Sequence, residues 1–306
     1  MTDFLKNRIL GFLMGISLQK KRGRSMVTCQ WLFENLNNPH VRIVDMRGYV
    51  VTKQVEPGVE DATYKGAYEE YLQGHIPGAV YADWTKDIID RDDPVPVQIA
   101  SKEAFAQAMS ERGISNESHV IAVDHAGGQF ATRLWWALKY FGHDQVSVLE
   151  GGYLRWNAAE MPLEQGPVVV PQARFVPLVR PEWRKTYSDI LGMIGNPEVQ
   201  ILDARDPAQF SGTKRRGSRG GHIPGAISVP RELFIDQNGF KPLEEVRKML
   251  EQKGITPDKP IVTYCNGGVA ATILLHALDH LGFDKLSNYD GSWNEWSERP
   301  ELPVEK

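Results

Sequence analysis

Short apolar runs alternate with amphipathic segments along most of this chain. In its C-terminal part, runs rich in β-branched and apolar residues predict strands at 199–202, 226–229, 260–264 and 286–289. Segments whose apolar residues recur every three or four positions predict helices at 242–253 and 270–281. Strands that alternate with helices are joined by right-handed crossovers and form a parallel sheet, so the pattern predicts an α/β fold.

The last of these helices carries the clearest signals. Its apolar residues share one face and predict a buried stripe. They are Leu274, Ala277, Leu278 and Leu281. Gly282 follows at the position where a residue with positive φ commonly ends a helix. The segment before the helix, YCNGGVAAT at 264–272, connects it to a predicted strand through a cysteine and two glycines.

The chain contains the same pattern twice. Four blocks of similar sequence recur in the same order. They are 28–47 and 186–205, the hexapeptide GHIPGA at 74–79 and 221–226, 120–144 and 261–284, and 149–156 and 289–296. Four matches in one order indicate a duplicated domain of roughly 120–140 residues. Each copy is therefore expected to form its own small parallel sheet flanked by helices, with its chemistry at the carboxyl ends of the strands.

The repeats and the composition between them predict four segments. Residues 163–183 carry four prolines and no helical period, which is typical of an extended, semi-rigid linker. We place an N-terminal extension at 1–26, the first domain at 27–163, the linker at 164–184 and the second domain at 185–306.

The N-terminal extension has an apolar run at 9–16 that is followed by a cluster of basic residues. A membrane-spanning helix needs about 20 apolar residues, so the run is too short for stable membrane insertion. A targeting helix, a membrane-surface segment, a translation start at Met26 and a loosely docked extension all remain open. We expect a cytoplasmic protein, with organelle targeting or binding to a membrane surface as the alternative.

Composition narrows the classes of function. The 306 residues are 42% hydrophobic, which is enough for two domains with their own cores. The net charge of −4 and the pI of about 6.1 do not indicate a nucleic-acid-binding protein. Two cysteines provide no disulfide framework, and no group of Cys and His residues has the spacing of zinc ligands. The thiols are therefore expected to stay free, in a reducing compartment.

Cys265 lies at the predicted carboxyl end of a strand, on a glycine-rich turn that leads into a helix. The thiolate is the reactive form of cysteine, and a positive potential favours it. The N–H groups of a tight turn can point inward as an anion-binding nest, and the following helix adds the positive end of its dipole. The same N–H groups can hold a thiolate, a persulfide or a transferred oxyanion. The alternative is a buried, unreactive cysteine at a strand-to-helix turn.

These motifs resemble the two-domain rhodaneses, the thiosulfate and 3-mercaptopyruvate sulfurtransferases. The likeness covers about residues 27–306. It rests on the paired GHIPGA blocks, the Asp-x-Arg at the end of the first strand of each copy, the loop from Cys265 to Ala270 and the sequence YDGSWNEW near the C-terminus. It implies one active C-terminal domain and one inert N-terminal copy. Asp124 stands at the position equivalent to Cys265, where a carboxylate cannot attack sulfur and would fill an anion nest with its own side chain.

The resemblance implies a ping-pong sulfur transfer through Cys265. The thiolate attacks the outer sulfur of a small anionic donor and keeps that sulfur as a persulfide, and a nucleophilic acceptor, cyanide or a thiol, then removes it. No metal and no organic cofactor is needed, because backbone N–H groups supply the electrostatic stabilisation. The loop residues expected to bind the donor are Asn266, Gly267, Gly268, Val269 and Ala270.

Arg205 matches the family arginine that meets the anionic end of the donor. A guanidinium suits a carboxylate or a sulfonate-like group, because it can donate two parallel hydrogen bonds. The alternative is an ion pair with Asp203 or Asp206. Arg47 is the equivalent residue in the inert copy, where a structural role is expected.

Other polar residues are expected to have structural or incidental roles. A basic run before the second GHIPGA block is interpreted as a solvated loop, although it could concentrate anionic donors. Its residues are Lys214, Arg215, Arg216 and Arg219. His75 and His222 recur in both copies, including the inert one, and are therefore expected to be structural. Cys29 has no counterpart in the repeat and is interpreted as an incidental thiol.

The loop sequence CNGGV and the segment DWT…DDPVP at 83–96 resemble a bacterial branch of two-domain thiosulfate sulfurtransferases. Thiosulfate is therefore the expected donor, and 3-mercaptopyruvate is the alternative. A phosphatase related to this fold needs an arginine six positions after the cysteine, where this chain has Ala271, so that class is not favoured. A non-catalytic binding module is the other alternative. We expect a monomer that does not bind nucleic acid.

Overall fold

The computed structural model of this protein describes residues 25–236 and 239–306. The predicted extension lies outside these residues except for its last two, Ser25 and Met26. Ser25 is buried and Met26 begins the first strand, because the segment forms main-chain hydrogen bonds with the strand Val146–Leu149. The targeting and membrane-surface alternatives therefore concern a part of the chain that lies outside the described residues.

The first domain is a parallel sheet with helices packed on it. Its strands are β1 (Met26–Val27), β2 (Val41–Asp45), β3 (Gly48–Glu56), β4 (Val59–Gly66), β5 (Val80–Tyr81), β6 (His119–Val123) and β7 (Val146–Leu149). Its helices are α1 (Cys29–Glu34), α2 (Tyr68–Gln73), α3 (Lys102–Glu111), α4 (Gln129–Tyr140) and α5 (Gly152–Ala158). The sheet has the order β1-β7-β6-β2-β5, and β3 and β4 form a separate antiparallel hairpin.

The second domain repeats this arrangement. Its strands are β8 (Arg184–Lys185), β9 (Gln200–Asp203), β10 (Ile227–Ser228), β11 (Ile235–Asp236), β12 (Gly239–Phe240), β13 (Ile261–Tyr264) and β14 (Leu286–Tyr289). Its helices are α6 (Tyr187–Met193), α7 (Pro207–Phe210), α8 (Leu243–Gln252), α9 (Ala271–His280) and α10 (Ser292–Trp296). None of the helices in residues 25–236 and 239–306 has the length and apolar character needed to cross a membrane.

The two sheets have the same topology. Taken from β8, the second sheet has the order β8-β14-β13-β9-β10, which matches β1-β7-β6-β2-β5 strand for strand, and the strands in both are parallel. This confirms the predicted fold class, two tandem α/β domains that each hold a small parallel sheet flanked by helices. All four residues of β13 are buried, because helices cover both faces of the sheet. That burial explains its unbroken apolar sequence.

The predicted elements of the second domain agree with the structure to within one residue at each end. The strand predicted from residue 260 begins at Ile261, since Pro260 has no N–H group to donate to the sheet. Gly282 has a φ of +92°, as expected for the residue that ends α9.

Helices α4 and α9 pack against each other and join the two domains. The two helices are equivalent in the repeat, and they meet at equivalent residues. These are Thr132 and Thr272, whose hydroxyl oxygens lie 2.8 Å apart. The predicted stripe is only part of the buried surface of α9, since every residue from Ala271 to Leu278 is buried. One side of α9 packs on its own sheet and the other packs on α4, so a single apolar cluster extends through both domains.

The linker is extended and lies on the first domain. Glu164 pairs with His75, and Nε2 of the same histidine lies 2.9 Å from the carbonyl oxygen of Gly166. His222 has the matching place in the second domain, where its ring stacks on a phenylalanine. Both histidines are therefore structural. Arg184, the last predicted linker residue, already belongs to β8 and so to the second sheet.

The β3–β4 hairpin is the main difference between the two copies. It lies within 46–73, between the end of β2 and the first GHIPGA block, whereas the second copy has the shorter segment 204–220 and α7 at that place. Pro57 and Gly58 form the turn, and Gly58 has a φ of +73°. The hairpin reaches the second domain, where Val59 pairs with the main chain of Arg215.

His276 on α9 makes the stability of this interface depend on pH. Burial lowers the pKa of His276 from 6.5 to about 3, and its Nε2 lies 2.8 Å from the carbonyl oxygen of Ser25. The folded protein keeps the ring neutral, while the unfolded chain binds a proton below about pH 6.5. We therefore expect the free energy of unfolding to fall as the pH decreases from 6.5 towards 3.

His276→Gln should remove this part of the pH dependence. The measurement is the urea midpoint at pH values between about 7 and 4.5, which should fall less in the variant than in the wild type. His40→Gln, at an exposed position, is the control and should behave like the wild type. Equal slopes for wild type and His276→Gln would contradict the prediction.

Candidate active site

Cys265 lies at the carboxyl end of β13, the central strand of the second sheet. The residue is 5% exposed and its thiol is free. Its N–H donates to the Ser292 hydroxyl at 3.2 Å, and its carbonyl oxygen accepts from the Trp293 N–H at 3.0 Å. The next carbonyl, of Asn266, accepts from the Asn294 N–H at 2.7 Å. The start of α10 therefore holds the turn in place.

The equivalent turn of the first domain shows what this loop geometry can bind. Asp124 follows β6, and its carboxylate accepts hydrogen bonds of 2.8–3.0 Å from four backbone N–H groups. They belong to Ala126, Gly128, Phe130 and Ala131. N–H groups that converge in this way form an anion-binding nest. The side chain of Asp124 fills the nest, as the sequence led us to expect.

The corresponding N–H groups beside Cys265 have no such partner. Within residues 25–236 and 239–306, the N–H groups of residues 267–271 donate to no acceptor. A cysteine side chain has one heavy atom beyond Cβ, where an aspartate has three. The turn at Cys265 therefore has room for one further small group that accepts hydrogen bonds.

Arg133 from the first domain fixes the orientation of this turn. Its Nη1 donates to the carbonyl oxygen of Gly268 at 3.1 Å, and Nδ2 of Asn288 donates to the same oxygen at 2.9 Å. Because the peptide unit is planar and trans, the N–H of Val269 points the opposite way, away from Arg133. Gly268 has a φ of +68°, and a Cβ there would lie 2.6 Å from the carbonyl oxygen of Asp290, so the position requires glycine.

A buried ion pair holds Arg133 in turn. Its Nη2 lies 2.7 Å from Oδ1 of Asp290, and both side chains are 1% exposed. The same nitrogen donates to the carbonyl oxygen of Val97 at 2.8 Å, and Oδ2 of Asp290 accepts from the Ile99 N–H at 2.9 Å. Hydrogen bonds of this kind are what a buried ion pair needs to offset its desolvation.

A cavity of about 300 Å³ lies over Cys265, between the two domains. The predicted loop residues that line it are Asn266, Gly267, Val269 and Ala270. Gly268 does not line it, because its carbonyl is directed at Arg133 and Asn288. The first domain contributes part of the wall through its hairpin, the segment between β5 and α3, and the start of α4. These residues are Val50, Thr52, Glu60, Tyr64, Val97 and Gln129.

The cavity wall carries charges of both signs. Its cations are Arg205, Lys214, Arg216 and Arg231, and its acids are Glu60, Asp206 and Glu232. Nζ of Lys214 lies 2.7 Å from Oε1 of Glu60, and this contact raises the pKa of the Lys214 ammonium. Arg231 donates to Gln129 and pairs with Glu232 at 3.0 Å. In the described part of the chain, no three or more His, Cys, Asp or Glu side chains are arranged to hold a metal ion.

Comparisons with known proteins identify the family of both domains. The family model for the rhodanese-like domain matches residues 28–159 and 186–299. The 3-mercaptopyruvate sulfurtransferase of Escherichia coli K12 is 36% identical over 282 residues, which cover 91% of this chain and 97% of that protein. The thiosulfate sulfurtransferase of Bos taurus is 32% identical, with coverage of 90% and 93%. The crystal structure of SseA, a 3-mercaptopyruvate sulfotransferase from Escherichia coli, matches with a TM-score of 0.78 and 34% identity, over 88% of this chain and 99% of that one.

The chain belongs to the two-domain rhodanese family. Both copies of the repeat match the family, which agrees with the resemblance found in the sequence. The turn at Cys265 lies in the second copy and the turn at Asp124 lies in the first.

In this rhodanese, Arg205 forms the ion pair that was the alternative to donor binding. Its Nη2 lies 2.5 Å from Oδ2 of Asp203 and donates to the carbonyl oxygen of Gly221 at 2.8 Å, and its side chain is 1% exposed. Arg47 makes the equivalent contacts in the first copy. The Asp-x-Arg sequence therefore ties the end of a strand to the GHIPGA block in both domains. These contacts are the same in the first copy, and Arg205 also lines the cavity over Cys265, so its binding of the donor stays a prediction.

The interpretation of the basic run as a solvated loop is wrong for three of its four residues. Lys214 and Arg216 line the cavity of this rhodanese and contact Glu60. Arg219 donates to four main-chain carbonyls of the C-terminal segment. The side chain of Arg215 contacts carbonyls of its own loop. The cations find partners here because segments that are distant in the sequence fold against the run.

Several residues of the site were not identified from the sequence. They are Glu60, Tyr64, Gln129, Arg133, Gln209, Arg231 and Asn288. A signal for the hairpin was present, since β-branched residues flank Pro57 and Gly58 and predict two strands joined by a turn. No local pattern marked Arg133, because Gly268 lies 135 positions further along the chain.

Replacing Arg133 tests how strongly the two domains hold the turn. Arg133→Met leaves the buried Asp290 carboxylate with Arg184, whose Nε lies 3.2 Å from Oδ2. We therefore expect the free energy of unfolding to fall by about 3 kcal/mol, the low end of the loss for a broken buried pair. Arg155→Met is the matched control, because Arg155 pairs with Glu150, the repeat equivalent of Asp290, at the surface. A surface pair contributes only about 0–1 kcal/mol. Urea unfolding measures both losses. Equal losses would show that the buried pair contributes no more to the free energy of unfolding than the surface pair.

Proposed function

We propose that this rhodanese is a sulfurtransferase that carries sulfur on Cys265 from a small anionic donor to cyanide or a thiol. One observation supports the proposal most strongly. The N–H groups around Cys265 have no acceptor among the described residues, while the same turn in the first domain binds a carboxylate. A turn of this kind stabilises an anion, and here it surrounds a nucleophile.

In the first half-reaction, the Cys265 thiolate attacks the outer sulfur of the donor. With thiosulfate, the S–S bond breaks and sulfite leaves with the electron pair. With 3-mercaptopyruvate, the C–S bond breaks and pyruvate leaves as its enolate, which then takes up a proton. In both cases the sulfur stays on Cys265 as a persulfide, and the backbone N–H groups of the turn stabilise its negative charge.

In the second half-reaction, an acceptor attacks the terminal sulfur of the persulfide. Cyanide gives thiocyanate, and a thiolate gives a persulfide on the acceptor. The S–S bond to Cys265 breaks and its electron pair restores the thiolate. The protein is therefore ready for another donor after each transfer, without an external oxidant or reductant.

We assign the anionic group of the donor to Arg216 and Arg231 rather than to Arg205. Both arginines line the cavity, and Nε of Arg216 is buried without an acceptor among the described residues. The guanidinium of Arg205 donates to Asp203 and to the Gly221 carbonyl.

Thiosulfate remains the first donor that we propose and 3-mercaptopyruvate the second. A cytoplasmic location and a monomeric state stay predictions.

Two cysteine substitutions test the sulfur carrier. Cys265→Ser should abolish cyanide-dependent formation of thiocyanate, and its intact mass should no longer increase by one sulfur atom after incubation with thiosulfate. Cys29→Ser should keep both properties, because Cys29 lies on α1 and burial raises the pKa of its thiol. Activity in Cys265→Ser would contradict the assignment, and a wild-type protein that gains no sulfur would favour the binding module.

A second pair of variants tests the donor site. Arg216→Ala removes a cation whose side chain is 14% exposed, so we expect kcat/KM for either donor to fall roughly 10- to 100-fold. Alkylation of Cys265 by neutral iodoacetamide should keep its rate. Arg215→Ala is the control, because its side chain contacts only loop carbonyls outside the cavity. If Arg216→Ala turned over both donors like the control, the donor would bind elsewhere.

A further inference from the structure

The β3–β4 hairpin of the inert domain brings a carboxylate into the cavity of the active one. The hairpin is attached at its turn, where the Glu60 N–H donates to the Arg215 carbonyl at 2.9 Å and the Arg215 N–H donates to the Gly58 carbonyl at 2.8 Å. Nearer its base, the Tyr64 hydroxyl accepts from Nδ2 of Asn294 at 3.2 Å. These contacts fix the position of Glu60 independently of its side chain.

The Glu60 side chain lies among the cations of the cavity. Its Oε1 is 2.7 Å from Nζ of Lys214, and its Oε2 is 3.7 Å from Nη2 of Arg216. The Glu60 carboxylate is 16% exposed and Arg216 is 14% exposed, so water screens the contacts only in part. Glu60 thus binds the cations that an anionic donor would also bind.

The charges of the cavity wall are balanced when Glu60 is in place. Among the cations of the wall, Arg205 is already paired with Asp203. The remaining cations are Lys214, Arg216 and Arg231, and the acids that face them are Glu60, Asp206 and Glu232. Each added negative charge on a donor is repelled by the Glu60 carboxylate and attracted by cations that Glu60 already partly neutralises.

We propose that Glu60 sets the charge preference of the donor site, by disfavouring doubly charged donors relative to singly charged ones. The proposal rests on the proposed function, in which thiosulfate carries two negative charges and 3-mercaptopyruvate carries one on its carboxylate. The Glu60 carboxylate repels a bound donor that has two negative charges about twice as strongly as a donor that has one, because the Coulomb energy is proportional to the charge. Glu60 therefore acts on selectivity, whichever donor has the higher absolute rate.

The first test compares donors in Glu60→Gln. This change keeps the size of the side chain and removes its charge. We expect the ratio of kcat/KM for thiosulfate to that for 3-mercaptopyruvate to rise about three- to tenfold at low ionic strength. Glu56→Gln, at an exposed position on the same hairpin, is the control with the same change in net charge and should leave the ratio unchanged.

A double variant tests whether charge balance is the cause. Glu60→Gln with Lys214→Gln removes one charge of each sign from the wall, so the ratio should return towards the wild-type value. An unchanged ratio in Glu60→Gln, or a rise of the same size in Glu56→Gln, would overturn the proposal. The sulfurtransferase function would stand in both cases, since it is judged by the gain of one sulfur atom on Cys265.

A second readout does not depend on sulfur transfer. Iodoacetate is a negatively charged reagent for Cys265 and iodoacetamide is its neutral analogue. The ratio of their alkylation rates should rise in Glu60→Gln and not in Glu56→Gln, because only Glu60 repels the anion in the cavity. If this ratio rises while no variant accepts sulfur from either donor, the charge role of Glu60 is supported and the proposed function fails. If the ratio does not rise, Glu60 does not control the entry of anions and the proposal is wrong.

Discussion

The buried pair of Arg133 and Asp290 is the contact on which the geometry of the Cys265 turn depends. Its two charges come from different domains and are almost completely removed from water. Such a pair is stable only when both partners are present and hydrogen-bonded, because an unpaired buried charge is costly. Arg133 and Asn288 both donate to the Gly268 carbonyl, so the packing of the two domains adds a second support to the peptide unit that presents the Val269 N–H.

The same contact explains how two similar domains differ in what they do. Ile273 stands in α9 where Arg133 stands in α4, so α9 has no arginine at the position from which Arg133 reaches the Gly268 carbonyl. Asp124 fills its own nest with four hydrogen bonds, which holds the inert turn closed by internal contacts. The turn at Cys265 is held from outside, by Arg133 and Asn288, and its N–H groups stay available. Duplication supplied the turn twice, and the two copies differ in the side chain at its start and in the groups that support it.

The basic residues of the two copies differ in where their acidic partners come from. Arg47 and Arg205 bind carboxylates two positions away and recur in both copies, so they belong to the fold. Lys214 and Arg216 meet a carboxylate from the other domain, and that carboxylate is carried by a hairpin that only the first copy has. The first domain thus has an aspartate in place of the cysteine at this turn, and it forms part of the wall of the cavity over Cys265.

The sequence by itself determined those features whose causes lie within a few residues of each other. Hydrophobic periodicity placed the strands and helices of the second domain to within one residue, and Gly282 marked the end of α9. The turn at Cys265 and the filled nest at Asp124 were predictable, because turn chemistry is set by neighbouring residues. The repeat also predicted the matching order of the two sheets.

Tertiary structure decided what depends on partners far away in the chain. Arg205 had two possible acids within its own segment. Asp206 caps α7, and the Gly221 carbonyl of the GHIPGA block accepts from the same guanidinium that binds Asp203. The second buried face of α9, the pairing of Lys214 with Glu60 and the hold of Arg133 on Gly268 all join residues of different domains. A local pattern records whether a side chain is apolar or charged, but it does not record which distant group will lie opposite. That choice is made when the two domains pack, because only then do burial and charge pairing act on the same atoms.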